Sequence, residues 1–166
     1  MVESNYFKVL ENYNILSKIE KLKEISKKQE VVFLCVGNPK IWFDSFGPMM
    51  GSLLKYLNLE KFIYGNLKSP IKAENLEQYV NMIYRFHINP FVVVIDSAIS
   101  KASNIQLKIK EGAIKCACLS DNPLEVGDMS IMLCISKEKM LNSNNYKVLL
   151  NDVKKLSWFI NYVFKL

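Results

Sequence analysis

Two aspartates give this chain its most reactive chemistry. Asp44 follows the apolar run Val31–Val36 by a short turn, and Asp96 closes a second apolar run, Phe91–Ile95. If those runs are neighbouring strands, two carboxyls meet at one sheet edge. Two close acids cannot both ionise freely, so one pKa rises and the pair shares a proton. One acid can then activate water while the other protonates a leaving group. The same pair could instead hold a divalent cation between Asp44 and Asp96. Capping of a helix by Asp44, and of loop amides by Asp96, is the ordinary alternative for such positions.

The elements that would position these acids follow from periodicity. Residues 3–27 show Phe7, Leu10, Leu16, Ile19, Leu22 and Ile25 at helical spacing over a lysine and glutamate face, predicting a helix or two. Val31–Val36 is too short for a helix and reads as a strand buried on both faces. Gly47-Pro48 opens a helix with proline at its first position, and Met50, Leu53, Leu54 and Leu57 stripe it. Gly51 suggests that this helix approaches the sheet closely.

Phe62–Tyr64 reads as a short strand, and residues 76–86 as a helix capped by Asn75 or Glu74. Phe91–Ile95 is the next buried strand. Ile105, Leu107 and Ile109 alternate with polar residues, predicting a half-exposed strand near an edge. Residues 111–128 read as loop, 129–135 as strand, 142–145 as turn and 146–164 as a long helix, with Trp158 and Phe159 widening its apolar face.

Strands alternating with helices predict a three-layer α/β/α sandwich on a mostly parallel sheet. A length of 166 residues, half of them apolar, fits one domain. Residues 1–30 would be a helical extension, 31–136 the core and 146–165 a closing helix. In such sheets ligands sit outside the carboxyl ends of the strands.

Composition narrows the function classes. The net charge of +6 is almost all lysine, and Arg85 is the only arginine. Specific nucleic-acid recognition favours the arginine fork, so no such partner is expected. No apolar run is long enough for a membrane span, and the opening MVESNYFKVL predicts no secretory leader. A cytoplasmic protein is expected. Cys35, Cys116, Cys118 and Cys134 read as reduced thiols, and Cys116-Ala117-Cys118 lacks the further ligands of a zinc site.

Other residues bear on the crevice. Asn38 stands in the loop leading to Asp44. Trp42, within Ile41-Trp42-Phe43, is either an aromatic anchor for a peptide or partner, or packs under the final helix. Asp128 is the best third acid; strand-entry turn chemistry is its alternative. The single histidine, His87, precedes the strand that ends in Asp96, so it is expected near the surface at the opposite edge, away from any metal.

An ordered set of residues adds a resemblance. Gly37, Asp44-Ser45-Phe46-Gly47-Pro48, Gly51, Gly65-Asn66-Leu67, Pro70 and Ala73-Glu74-Asn75-Leu76 come first. Pro90-Phe91, Ile95-Asp96, Gly112 and Leu124-Glu125-Val126-Gly127-Asp128 follow. Over roughly residues 31–136 the chain resembles the YyaC-type sporulation proteins of spore-forming Firmicutes, often labelled spore proteases. That family is similar in fold to the hydrogenase maturation peptidases and to the germination protease that digests small spore proteins.

The resemblance implies a peptidase-like site at Asp44 and Asp96, acting on a peptide or protein. In the maturation peptidases the matching acids hold nickel with a histidine; in the germination protease two aspartates are the proposed catalytic pair. Here Asn38–Phe43 replaces a small polar loop, Lys115–Leu119 a glycine-rich segment, and Ser97-Ala98 a stretch carrying cysteine. No resident cofactor is expected. A non-catalytic protein that binds a peptide or partner in the same crevice is the second reading.

Overall fold

The computed structural model describes residues 13–101, 105–116, 123–142 and 144–165. Helix α1 (Tyr13–Ser26) leads into strand β1 (Val31–Cys35), and a 3-10 turn at Trp42–Asp44 leads into α2 (Phe46–Tyr56). Strand β2 (Phe62–Tyr64), helix α3 (Leu76–Phe86) and strand β3 (Phe91–Ser100) follow. Then come β4 (Gln106–Glu111), β5 (Ile114–Cys116), β6 (Leu124–Val126), β7 (Met129–Ser136), α4 (Lys137–Met140) and α5 (Asn145–Lys165).

The main sheet has the order β2-β1-β3-β7-β4. All its pairings are parallel except β4 with β7. Alternation along each strand sorts the core into two layers. Val31, Phe33, Cys35, Val93, Ile95, Ile131 and Leu133 face Ile19 and Leu22 of α1, Met50 and Leu54 of α2, and Leu149, Val153, Leu156 and Ile160 of α5. On the opposite face Val32, Leu34, Val92 and Val94 meet Ile71, Leu76, Val80 and Ile83, with Cys116 and Val126 of the β5–β6 hairpin. Covering both faces is why β1 and β3 read as unbroken apolar runs. Each such side chain contributes roughly 1.5–3 kcal/mol by leaving water. The architecture is the expected α/β/α sandwich.

Gly51 sits where α2 crosses the β1–β2 edge. A Cβ there would strike the Gly65 carbonyl oxygen and come within 3.2 Å of the Cys35 Cβ, so a bare backbone lets the helix settle on the sheet.

Several local expectations are corrected. β3 does not stop at Ile95; it runs to Ser100 because β7 continues beside it, pairing Asp96 with Met132 and Ser100 with Ser136. α2 starts at Phe46, placing Pro48 at its third position rather than its first. Asn75 is the N-cap of α3, but its side chain accepts from the Lys72 amide at 2.8 Å and makes no cap bond.

The stretch 111–128 is not all loop, since β5 and β6 pair within it. α4 is an additional turn of helix, with Ser136 Oγ accepting from the Lys139 amide at 3.3 Å. Trp158 lies on the exposed side of α5. The expected helix over residues 3–12 and the thiol of Cys118 lie outside the described residues.

Candidate active site

β1 ends at Cys35, while β3 beside it runs on. The Val36 amide donates to the Ile95 carbonyl at 2.8 Å, so residue 95 turns its backbone groups toward β1. Residue 97, two further on, turns the same way, but the β1–β3 pairing ends at Cys35 with Ile95. The Asp96 carboxyl takes that amide: Ser97 N donates to Asp96 Oδ1 at 2.7 Å.

The loop after β1 delivers the second acid. Gly37 has φ +143, and a Cβ on it would strike the Asp44 carbonyl oxygen, so this turn closes tightly only on glycine. Asp44 Oδ2 accepts from the Asn38 amide at 2.9 Å. Asn38 Oδ1 accepts from the Lys40 amide at 3.0 Å, and Ser45 Oγ donates to the Trp42 carbonyl at 2.7 Å. Trp42 Nε1 donates to the Met140 carbonyl at 3.0 Å, tying the loop to the end of α4. Ser97 Oγ then donates to Asp44 Oδ1 at 3.2 Å.

One serine therefore touches both acids. The two bonds and the span of one residue place the carboxyls within roughly 10 Å of each other, close enough to act across one small molecule. Asp96 is 8% exposed. Burial pushes its carboxyl up to about 7; the Ser97 amide opposes the rise and the Asp44 charge adds to it. Asp44 is half-buried, and burial raises its pKa too, against the Asn38 amide and the Ser97 hydroxyl. Near neutral pH Asp96 thus carries a proton to give, while Asp44 has two hydrogen bonds that favour its charge.

The remaining residues fall elsewhere. Asp128 does not join the pair. Its Oδ2 accepts from the Val92 amide at 2.8 Å and its own amide donates to the Val92 carbonyl, which fixes the strand entry at the opposite end of β3. Asp128→Ala should cost about 1–3 kcal/mol by leaving the Val92 amide unpaired. Urea unfolding would show this loss.

Trp42 and Phe43 meet each other edge-to-face and both pack, partly buried, against the core, leaving only Ile41 of the apolar trio exposed, at 38%. Asn38 acts through its backbone amide. His87 is at the expected edge but buried, not near the surface: Nδ1 meets Glu30 Oε2 at 3.0 Å and Nε2 meets the Tyr64 hydroxyl at 2.8 Å. Cys35, one strand from the site, is pushed up to about 12 by burial and is inert as a nucleophile.

Ser97 is the functional candidate that the sequence reading passed over. Its signal was available in the strand period. Residues 93 and 95 face α2, so 97 does too, toward the loop that carries Asp44.

A mostly parallel sheet in this order, flanked by helices on both faces, resembles the hydrogenase maturation protease fold. The solved [NiFe] hydrogenase maturation protease HycI from Thermococcus kodakarensis KOD1 superposes with a TM-score of 0.59 over 87% of this chain and 99% of that one, at 16% identity. Residues 3–162 match the family described as "Protein of unknown function (DUF1256)", and the chain belongs to that family. It is similar to "Uncharacterized protein YyaC" of Bacillus subtilis (strain 168), 34% identical over 105 residues. That segment is 61% of this chain and spans about half of YyaC, 51% of its length.

Proposed function

We propose that this protein is a peptidase of sporulating cells, with Asp44 as general base and Asp96 as general acid. The carrying observation is the serine bridge, Asp44 Oδ1 to Ser97 Oγ and Ser97 N to Asp96 Oδ1, which holds two unlike carboxyls in one place. Asp96, almost closed from water, keeps a proton for the departing amine; Asp44, more open, takes one from the attacking group. The fold shared with a maturation protease supports a peptide or protein substrate. The site is expected in the cytoplasm of the mother cell or forespore, and no helix among the described residues is long and apolar enough to cross a membrane.

Nickel does not fit this donor set. The chain has one histidine, and it is bonded to Glu30 and Tyr64 at the far edge. No group of three metal-ligating side chains occurs among the described residues. The chemistry is proposed on the chain's own groups. The reading of the crevice as a non-catalytic partner site loses its anchor, because Trp42 is hydrogen-bonded to Met140 and packed.

The test is cleavage of a denatured protein mixture, followed by mass spectrometry. Asp44→Asn and Asp96→Asn should each lower the rate by a hundredfold or more, with circular dichroism unchanged. Turnover that survives both substitutions removes the assignment.

A further inference from the structure

We infer that Ser97 is the nucleophile of this site, so that peptide cleavage passes through an acyl-enzyme on its Oγ. The inference rests on Asp44 as base. An activated nucleophile shows itself as a hydroxyl within hydrogen-bond reach of a base that a third group orients. Ser97 Oγ donates to Asp44 Oδ1 at 3.2 Å, and the Asn38 amide fixes the other Asp44 oxygen at 2.9 Å.

Ser97 is part-exposed, whereas Asp96 beside it is buried, so the hydroxyl is the more reachable of the two groups. Strand alternation turns it away from the α3 layer and toward the start of α2. Gly47 lies within reach of that point, since a Cβ on it would come 2.6 Å from the Ile95 carbonyl oxygen. Pro48 has no N–H and the Met49 amide donates to the Ser45 carbonyl, so the donors this helix start offers to an acyl oxygen are the Phe46 and Gly47 amides, which have no partner within the helix.

The steps balance. The Oγ–C bond forms at the peptide carbonyl as the Oγ proton passes to Asp44. The tetrahedral intermediate breaks its C–N bond, and the amine leaves with the proton from Asp96. Water then attacks the acyl ester and gives a proton to the Asp96 carboxylate, while Oγ leaves with the proton held on Asp44. Both acids return to their starting states.

A fluorophosphonate probe tests this without knowledge of the substrate, because Oγ attack on phosphorus expels fluoride and leaves a stable adduct. Whole-protein and peptide mass spectrometry should find one adduct per chain, on Ser97. Ser97→Ala should carry none, and Asp44→Asn should label at least a hundredfold more slowly. Ser97→Cys, which keeps the shape, should instead be alkylated by iodoacetamide at that position, with its rate lowered by Asp44→Asn.

An adduct absent from the wild-type protein, placed on another residue, or formed equally fast with Asn at position 44 overturns the inference. Peptide turnover in Ser97→Ala overturns it while leaving the acid pair with water as the attacking group. Turnover in Asp44→Asn removes the acid-pair reading itself.

Discussion

Asp96→Asn should make the protein more stable above pH 7, not less. An ordinary aspartate titrates near 3.8, and burial lifts Asp96 to about 7. Between those values the folded chain holds a proton that the unfolded chain has lost. The folded state binds more protons, so stability falls as pH rises from about 4 to about 7 and is level beyond. Asparagine has nothing to ionise, and its carbonyl can still accept the Ser97 amide. About two pH units of the titration window lie above pH 5, at 1.36 kcal/mol each. The gain from Asp96→Asn at pH 8 should therefore exceed the gain at pH 5 by roughly 2–3 kcal/mol.

Asp152, raised by burial to about 6, slopes the wild-type curve in the same direction, but over a range that ends earlier. Asp44→Asn removes one neighbouring charge, so it should lower the Asp96 midpoint and flatten part of the same slope. Urea unfolding at pH 5 and pH 8 measures all three. An equal effect of Asp96→Asn at both pH values would show that the carboxyl is not held protonated.

A buried acid that costs stability at working pH calls for some return. Side chains that only cap are usually exposed or fully bonded, as Asp128 is on the Val92 backbone. Among the described residues Asp96 accepts from one amide, is almost closed from water and has a like charge nearby. Carboxyls displaced in this way cluster at functional sites, which supports the proposed acid role of Asp96.

The pair was legible in the sequence because its strands are. Val31–Cys35 and Phe91–Ile95 are buried on both faces, and uninterrupted apolar runs leave few other assignments. The end of β3 was not legible, since it is set by β7 rather than by residues 96–100. Neither was the β5–β6 hairpin, whose three-residue strands are too short to show a period. His87 shows a different limit. Its burial depends on Glu30 and Tyr64, 57 and 23 residues away in sequence, and no local pattern predicts those partners. Ser97 is hidden by its neighbour: Asp96 is the group with evident chemistry, and Ser97-Ala98 stands out in the sequence only as a departure from a family pattern.

Gly47→Ala is the substitution with the largest expected structural effect. A methyl there meets the Val36 carbonyl oxygen head-on, lies 2.6 Å from the Ile95 carbonyl oxygen and 2.7 Å from the Val36 amide nitrogen. All three are backbone atoms, two just past the end of β1 and one within β3 beside it, so no side chain can swing aside. The start of α2 must retreat, at a cost on the order of 3 kcal/mol or more. Asp44 and Ser45 immediately precede that helix and would move with it, breaking the 3.2 Å contact to Ser97. A displacement near 1 Å at a reacting group can cost about a hundredfold in rate. Gly112→Ala is the control. Its φ of +91 makes alanine strained, but a Cβ there meets nothing within 4 Å, so stability should fall by roughly 1 kcal/mol with activity intact. Thermal unfolding and fluorophosphonate labelling of the two variants separate the cases. If Gly47→Ala unfolds and labels like wild type, α2 is not seated against the strand ends and the site geometry is wrong.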